Sequence, residues 1–564
     1  MSMTVSRPQV LSAATVDALP EAPATVTTAL AELEVWWSRR VDLAGLGSEW
    51  KNLATAVDAV APQELDFGPV SSGLPHDSYA LGSLYVNRLP TAERADYGKH
   101  YTPRDLADRL WRMGRNALGF GEVPRRLHGL VRDPAVGAGS LLVPVVREHL
   151  EASSEIDPEF VLASLPQFVE GLDTDPRAVY LANVVLASEM LPTLARVPES
   201  RRRPLPSLAR VCNSLEEELA PALLWIMNPP YGRQKLSPKM RNRYSGSLYG
   251  QANLYALFIA CALSGLGEDG AVAVLVPTSF ASGSSFRKLR GQLAESAPLR
   301  SITFMKRRSG VFAGVLQETC LAVFTPKRSE CVEVTRLSPE AEFVAIVPSP
   351  RTSHPWVMPR DSIDAAIAAG ATQMQLNLGM AGWKASTGPL VWNRRKENLH
   401  AGSSKTRAHV VWAADIDGGR LHRDPRRDLH RYVALRDSAD ELTLTLSEPA
   451  ILVQRTTSPE QCRRLVAVEL DRRTLNRLGN RVVVENHLNV LLPTVEHPML
   501  SRSLLARLLA TRTFDRLLRC ISGSVAVSAY ELEALPLPSI EELEAWEHLL
   551  AEELEEAVLT AYVK

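Results

Sequence analysis

The strongest chemical signal in the chain is Met227-Asn228-Pro229-Pro230-Tyr231-Gly232, which directly follows the apolar run LLWI. Two consecutive prolines fix the backbone and remove two donors, so the loop presents carbonyl oxygens to whatever faces it. The Asn228 amide oxygen and the Pro229 carbonyl can both accept from one planar amino group. That pairing suits an exocyclic NH2 whose lone pair must be drawn out of a ring before it attacks a methyl. Tyr231 offers an aromatic face on which a flat base can stack. A second constellation is Asp133-Pro134-Ala135-Val136-Gly137-Ala138-Gly139-Ser140. Its glycines let the backbone pass close to a ligand, and a helix opening there favours an anionic group such as a carboxylate. Further on, Gly171-Leu172-Asp173-Thr174-Asp175-Pro176 carries paired acids, and a carboxylate at that point can hold the two hydroxyls of a ribose. A lone G-x-G or Asn-Pro turn reads equally well as plain structure. Glycine, then acid, then Asn-Pro-Pro-Tyr, each at a strand end, favours a nucleoside ligand.

These loops need elements to hold them. Short apolar runs alternate with amphipathic helical patterns from about residue 97: HGLVRDPAV, SLLVPVVREHL, FVEGLDTD, PRAVYLANVVLASEM, LLWIMN, NLYALFIACALSGL and AVAVLVP. Strands alternating with helices predict an α/β fold with a doubly wound, mostly parallel sheet. Residues 1–90 read as a mostly helical N-terminal region that begins as a loose arm. Beyond residue 350 the alternation gives way to shorter strand-like pieces, which predicts a separate α+β domain over 351–538. Residues 539–564 read as one acidic helix.

The chain has 564 residues, too many for one ordinary core. Its 63 Lys+Arg and 64 Asp+Glu give a formal net charge of -1, which by itself argues against a surface coated for nucleic acid. The total is misleading. Residues 351–538 carry 26 Lys+Arg against 19 Asp+Glu, a net of +7, whereas 539–564 carry eight Glu and one Lys, a net of -7. The six cysteines (Cys212, Cys261, Cys320, Cys331, Cys462, Cys520) are scattered without a C-x-x-C, so neither a disulfide framework nor a metal site is expected. No apolar run is read as a spanning helix and no signal pattern opens the chain, so a cytoplasmic protein without a membrane partner is expected. An Asp…Glu-x-Lys nuclease arrangement is not found, so modification without cutting is expected.

Taken together these motifs resemble the S-adenosylmethionine-dependent amino-group DNA methyltransferases. The resemblance is to the gamma-class N6-adenine enzymes with the TaqI-type order of parts, of the type II restriction-modification kind. It runs over residues 97–326 and more loosely to 538. It implies a class I, Rossmann-like catalytic domain over 91–350, a target-recognition domain over 351–538, and S-adenosyl-L-methionine as cofactor. Tyr101, Thr102 and Pro103 would touch the methionine part of that cofactor, Asp133, Ala135, Gly137 and Gly139 would form its glycine loop, and Asp173 with Thr174 would meet its ribose. The resemblance places Asn228, Pro229, Pro230 and Tyr231 at the target base, with Phe312 of Val311-Phe312-Ala313-Gly314-Val315 packing on the other face of a flipped adenine. Val136 stands where the family often has Cys. The family's acid at the cofactor adenine has no counterpart in Cys212-Asn213-Ser214-Leu215, where Asn213 or Ser214 could make the same hydrogen bond.

In the basic domain, Gly382-Trp383-Lys384-Ala385-Ser386-Thr387 and Asn393-Arg394-Arg395-Lys396 resemble the start of a target-recognition region. Val453-Gln454-Arg455 and Glu485-Asn486-His487 continue the likeness, and Ile521-Ser522-Gly523-Ser524 resembles its close. Lys384, Ser386, Thr387, Arg394, Arg395, Lys396, Arg455 and Asn486 are of the types that reach phosphates and base edges. The implied partner is double-stranded DNA, with a separate restriction endonuclease or defence subunit as a family-based expectation. Cytosine N4, an RNA base and a protein glutamine are alternative planar amino targets. A non-catalytic DNA-binding subunit that keeps the fold is a further alternative.

Overall fold

The computed structural model describes residues 25–62, 77–88, 102–305, 318–338, 340–457, 461–523 and 526–563. Its centre is a nine-stranded sheet of β1 (Val131–Asp133), β2 (Val169–Asp173), β3 (Ala209–Val211), β4 (Ala222–Met227), β5 (Leu266–Pro277), β6 (Leu299–Met305), β7 (Thr319–Phe324), β8 (Cys331–Ser338) and β9 (Glu340–Pro348). The strand order is β9-β8-β6-β7-β5-β4-β1-β2-β3. β3, β2, β1, β4 and β5 pair in parallel, and β7 runs antiparallel between β5 and β6. This is a doubly wound, mostly parallel sheet. The chain moves outward from β1 to β3 and then crosses back to β4, so the order reverses between β1 and β4. Crevices at such a reversal, outside the carboxyl ends of the strands, are where these folds take ligands.

Alternation of side chains across the sheet builds two cores. Leu224 and Ile226 of β4 and Ala271, Ala273 and Leu275 of β5 enter one core, while Trp225, Met227, Val272, Val274 and Val276 enter the other. A strand buried on both faces must be apolar throughout, which is why these strands read as continuous runs.

Seven helices matter to the site or its surroundings: α1 (Thr25–Leu43), α2 (Ser78–Arg88), α3 (Arg104–Ala117), α4 (Val143–Glu151), α5 (Pro176–Ala195), α6 (Leu254–Ser264) and α7 (Arg287–Ser296). α5 is unusually apolar for its length. Among the described residues it is the one helix long and apolar enough to cross a membrane. Its apolarity has another cause, since 83 % of that window is buried inside the fold, against the sheet, α4 and α2. Pro176 begins α5, and the Asp175 side chain caps it by accepting from the Arg177 amide.

Besides two two-stranded pairs, the described residues beyond 350 form a four-stranded and a five-stranded sheet. One orders Trp383–Thr387, Leu488–Pro493, Ala450–Gln454 and Ala467–Leu470, all antiparallel. The other joins Leu399–His400, Tyr432–Ala434, Arg407–Val411, Val482–Val484 and Thr445–Leu446. Helices α8 (Ala365–Gln373), α9 (Arg502–Ala510), α10 (Arg512–Ile521), α11 (Ile540–Trp546) and α12 (Ala551–Val563) pack around the first sheet. The acidic stretch is thus two helices rather than one. Arg507 donates to the carbonyls of Glu547 and Leu549 that the break exposes, and Leu543, Trp546, Leu554, Val558 and Tyr562 join the local core.

Candidate active site

The carboxyl ends of β1, β2 and β4 bring three loops together. After β1, Asp133 is buried, and its carboxylate accepts the Ala135 amide at 3.0 Å. Burial, reinforced by nearby Asp173, pushes the Asp133 carboxyl up to about 8 despite that hydrogen bond. The loop then turns through Gly137 (φ 52°) and Gly139 (φ 87°). A Cβ on Gly139 would lie 3.3 Å from Ala182 Cα of α5, so glycine there permits close packing, whereas the space beside Gly137 is open to 4 Å.

After β2, the Asp173 carboxylate accepts from Gly137 N at 3.0 Å and from Asp175 N at 2.9 Å, binding the second loop to the first. Thr174 is exposed beside it. Asp175 itself accepts from Tyr85 of α2 at 2.8 Å and pairs with Arg177 at 3.0 Å. The upstream helical region therefore reaches the rim of the site. No sequence signal pointed to Tyr85, because its partner is 90 residues away.

After β3, Asn213 and Ser214 separate in role. The Ser214 hydroxyl is buried and donates to Pro134 O at 2.7 Å, which ties this loop to the glycine loop. Asn213 is exposed, its Oδ1 accepting from Leu215 N at 3.2 Å.

Asn228 begins the loop after β4. Its Nδ2 donates to Thr102 Oγ1 at 3.0 Å, and Thr102 is buried just ahead of α3. That contact sets the amide, because the end bearing nitrogen is occupied by a fixed acceptor. The Asn228 Oδ1 accepts from the Tyr231 hydroxyl at 3.2 Å, which also lies 3.2 Å from Leu275 O. Burial, with Cys320 nearby, holds the Tyr231 hydroxyl well above its ordinary range, so it stays a donor. The Tyr231 ring meets Tyr255 edge-on at 6.1 Å; Tyr255 in turn stacks on Phe286 at 5.1 Å and shares a hydrogen bond with Ser279 at 2.9 Å. Pro229 is buried and Pro230 half-buried.

The structure thus gathers Thr102, Asp133, Ala135, Gly137, Gly139, Asp173, Asn213, Asn228 and Tyr231 at one end of the sheet, with Pro103 preceding α3. Tyr101 and Phe312 lie outside the described residues.

The basic region presents a mixed picture. Lys384, Ser386 and Thr387 are exposed on the strand Trp383–Thr387, and Arg394 and Lys396 are exposed in the following turns. Arg395 is held by Asp440 at 2.8 Å. The Arg455 guanidinium donates to Asn486 O at 3.2 Å, joining two segments of the first small sheet.

Against known proteins, residues 225–312, which open on the Trp225 of β4 and contain the Asn-Pro-Pro-Tyr loop, match the family model for the Eco57I restriction-modification methylase. That stretch is where the chain is similar to the restriction-modification methylases. The chain is 25 % identical over 330 residues to the Type II methyltransferase M.BsuBI of Bacillus subtilis, covering 56 % of this chain and 64 % of that protein. It is 25 % identical over 212 residues to the Type II methyltransferase M.BanIII of Aneurinibacillus aneurinilyticus, covering 36 % of this chain and 34 % of that one. The chain therefore spans less than two thirds of these methylases. In fold it is similar to the Type IIL restriction-modification enzyme MmeI, with a TM-score of 0.52 at 15 % identity, over 86 % of this chain and 77 % of that one.

Proposed function

We propose that this chain is a site-specific DNA methyltransferase that moves a methyl group from S-adenosyl-L-methionine to N6 of an adenine flipped out of a DNA duplex. The Asn228 loop carries the reading. It lies at the sheet's reversal point and inside the stretch matched to restriction-modification methylases, and Thr102 fixes its amide. The residues present suit the cofactor: the backbone is open beside Gly137, the Asp173 carboxylate beside it would meet the ribose, and the exposed Asn213 would meet the adenine. When bound, the cofactor supplies a methyl group on a sulfonium, an already activated leaving group.

The chain's own residues then orient the nucleophile. Asn228 Oδ1 and Pro229 O accept the two amino hydrogens, which draws the nitrogen lone pair out of conjugation with the ring. To take Oδ1, the base displaces the Tyr231 hydroxyl, whose ring stacks on the base, with Phe312 as the second wall. Flipping costs a few kcal/mol, which this stacking offsets. The rest is positioning and electrostatics. Lys384, Ser386, Thr387, Arg394 and Lys396 form the DNA-facing set, while Arg395, Arg455 and Asn486 support it from within the fold. The boundaries at 90 and 350 divide these duties, the helices beyond 538 packing into the core of the basic unit, and a separate nuclease or defence subunit would complete the system.

The test is expression in a methylation-free host, followed by sequencing of its DNA with detection of modified bases. N6-methyladenine at one sequence motif supports the proposal, and Asn228→Ala should abolish it while calorimetry still detects cofactor binding. N4-methylcytosine would replace adenine with cytosine as the target. Unmodified DNA would favour RNA, a protein glutamine or an accessory subunit.

A further inference from the structure

We propose that the cavity between α3 and the β6–β8 pair binds a phosphate-bearing small molecule of nucleotide size through Arg109, Arg112 and Arg300. It is a second site. β6 runs parallel to β4, so Arg300 at its start lies at the end of the sheet opposite Asn228; α3 begins beside Asn228 and runs toward that end. The cavity measures about 420 Å³, within the range of about 300–1,000 Å³ typical of small-molecule sites.

Its charge is the argument. Helix α3 carries four arginines. Two have carboxylate partners, Arg104 with Asp108 at 3.5 Å and Arg115 with Glu148 at 3.1 Å. Arg109 and Arg112, one turn apart on the face that lines the cavity, form no ion pair among the described residues, and neither does Arg300. Arg112 donates to Asp108 O at 3.4 Å and Arg300 to Ser329 at 2.9 Å, both uncharged acceptors, and the carboxylates in the lining, Glu122 and Glu333, form no ion pair with either among the described residues. Arg109 donates to Thr335 at 3.2 Å, and its buried Nε has no partner among the described residues. Burial and the charge of Arg112 weaken the hold of Arg109 on its proton, and the nearby Glu333 carboxylate offsets them only in part.

Guanidinium forks match phosphate oxygens bidentately. On the sheet side the Thr303 and Thr335 hydroxyls, 2.7 Å apart, form a chain in which Thr335 accepts from Arg109 and Thr303 donates to Met113 Sδ, which holds the Arg109 fork in place. The apolar flank of Met113 and the acceptors of Glu333 suit the body of a nucleotide, with its flat base and its hydroxyl and amino hydrogens. A bare phosphate would leave that part of the cavity unfilled.

The test is calorimetric titration of the full chain with ATP and, separately, with inorganic phosphate. Saturating S-adenosylhomocysteine is present throughout, so that the adenosine moiety cannot report on the cofactor site. ATP should bind more tightly than inorganic phosphate. Arg109→Gln and Arg112→Gln should each weaken ATP at least tenfold, and Arg300→Gln, at an exposed position that does not threaten folding, several-fold. The proposal is overturned if neither probe binds at millimolar concentration, or if binding ignores both Arg109→Gln and Arg300→Gln. It is also overturned if a DNA duplex displaces ATP through contacts sensitive to Arg300→Gln, since the phosphate would then be that of the DNA backbone.

Discussion

An asparagine amide has two ends of nearly equal shape and opposite chemistry, and only the oxygen end can accept from an amino group. Thr102 decides which end faces the base, since its hydroxyl takes Asn228 Nδ2. Thr102→Val keeps the shape and removes the acceptor. Methyl transfer in a single turnover should fall roughly tenfold, the worth of about one hydrogen bond, with cofactor affinity changed far less; Thr102→Ser should restore the rate. An equal loss in both quantities would make Thr102 a cofactor ligand only. Asp133 yields a prediction of pH dependence. With its carboxyl pushed up to about 8, it is mostly protonated at neutral pH and gains negative charge as pH rises through that value. A cationic sulfonium ligand should therefore bind more tightly above pH 8 than at pH 7, and Asp133→Asn should flatten the profile in calorimetry. The same raised value makes folding stability sign-definite. The native state holds a proton that the unfolded chain releases near 4, so this group's contribution becomes less favourable from about pH 4 to pH 8. Motif residues that are neighbours along the chain are legible in the sequence alone. The Thr102–Asn228 contact, across 126 residues, is not, because nothing local encodes it.

At the level of elements, the glycine loop is built by two glycines with different duties. Gly139 adopts a positive φ where α5 passes closely, whereas Gly137 adopts one beside open space. Gly139→Ala should cost about 1–3 kcal/mol of unfolding free energy in a denaturant melt, because backbone strain adds to a close approach to Ala182. Gly137→Ala should cost less stability and more cofactor affinity, since its new methyl projects into the open side. If both variants lose only stability, the loop is a packing device and the cofactor reading of its glycines fails. The parallel core was legible because a strand buried on both faces is a short apolar run bounded by turn residues. α5 is legible for a related reason: burial on many sides gives a core helix an apolar composition that would also suit a membrane span. The β8–β9 hairpin went unread because its outer face stays open, leaving Phe343 and Ile346 exposed in a pattern that resembles ordinary surface. The break between α11 and α12 depends on Arg507 from a distant helix, so a uniform Glu-rich pattern could not announce it.

Across the whole molecule, charge is segregated and then folded back on itself. The +7 of residues 351–538 and the -7 of 539–564 belong to one packed unit, because α11 and α12 contribute Trp546, Val558 and Tyr562 to the core that holds Trp383. The acids are therefore a fixed wall of that unit, anchored where Glu555 accepts from Arg512 N and Thr513 N. The central sheet and the basic part are also joined firmly. Arg290 of α7 is fully buried; it donates to Phe280 O and Gly283 O on its own side and to Ser353 O, His354 O and Tyr530 on the other. A basic unit joined in this way to the central sheet predicts how DNA binding should respond to salt. Each neutralised phosphate contributes about -0.9 to the slope of log K against log salt, so six to ten contacts would cost roughly 10³–10⁵ in affinity between 50 and 200 mM. Lys384→Ala and Lys396→Ala should each flatten that slope by about one. Glu541→Gln with Glu552→Gln, both on the exposed acidic wall, should raise affinity at low salt without changing the slope, because those charges act at a distance and release no ions from the DNA. Salt-independent binding, or a slope indifferent to Lys384 and Lys396, would place the DNA elsewhere on the molecule and return the neutral total charge to its face value.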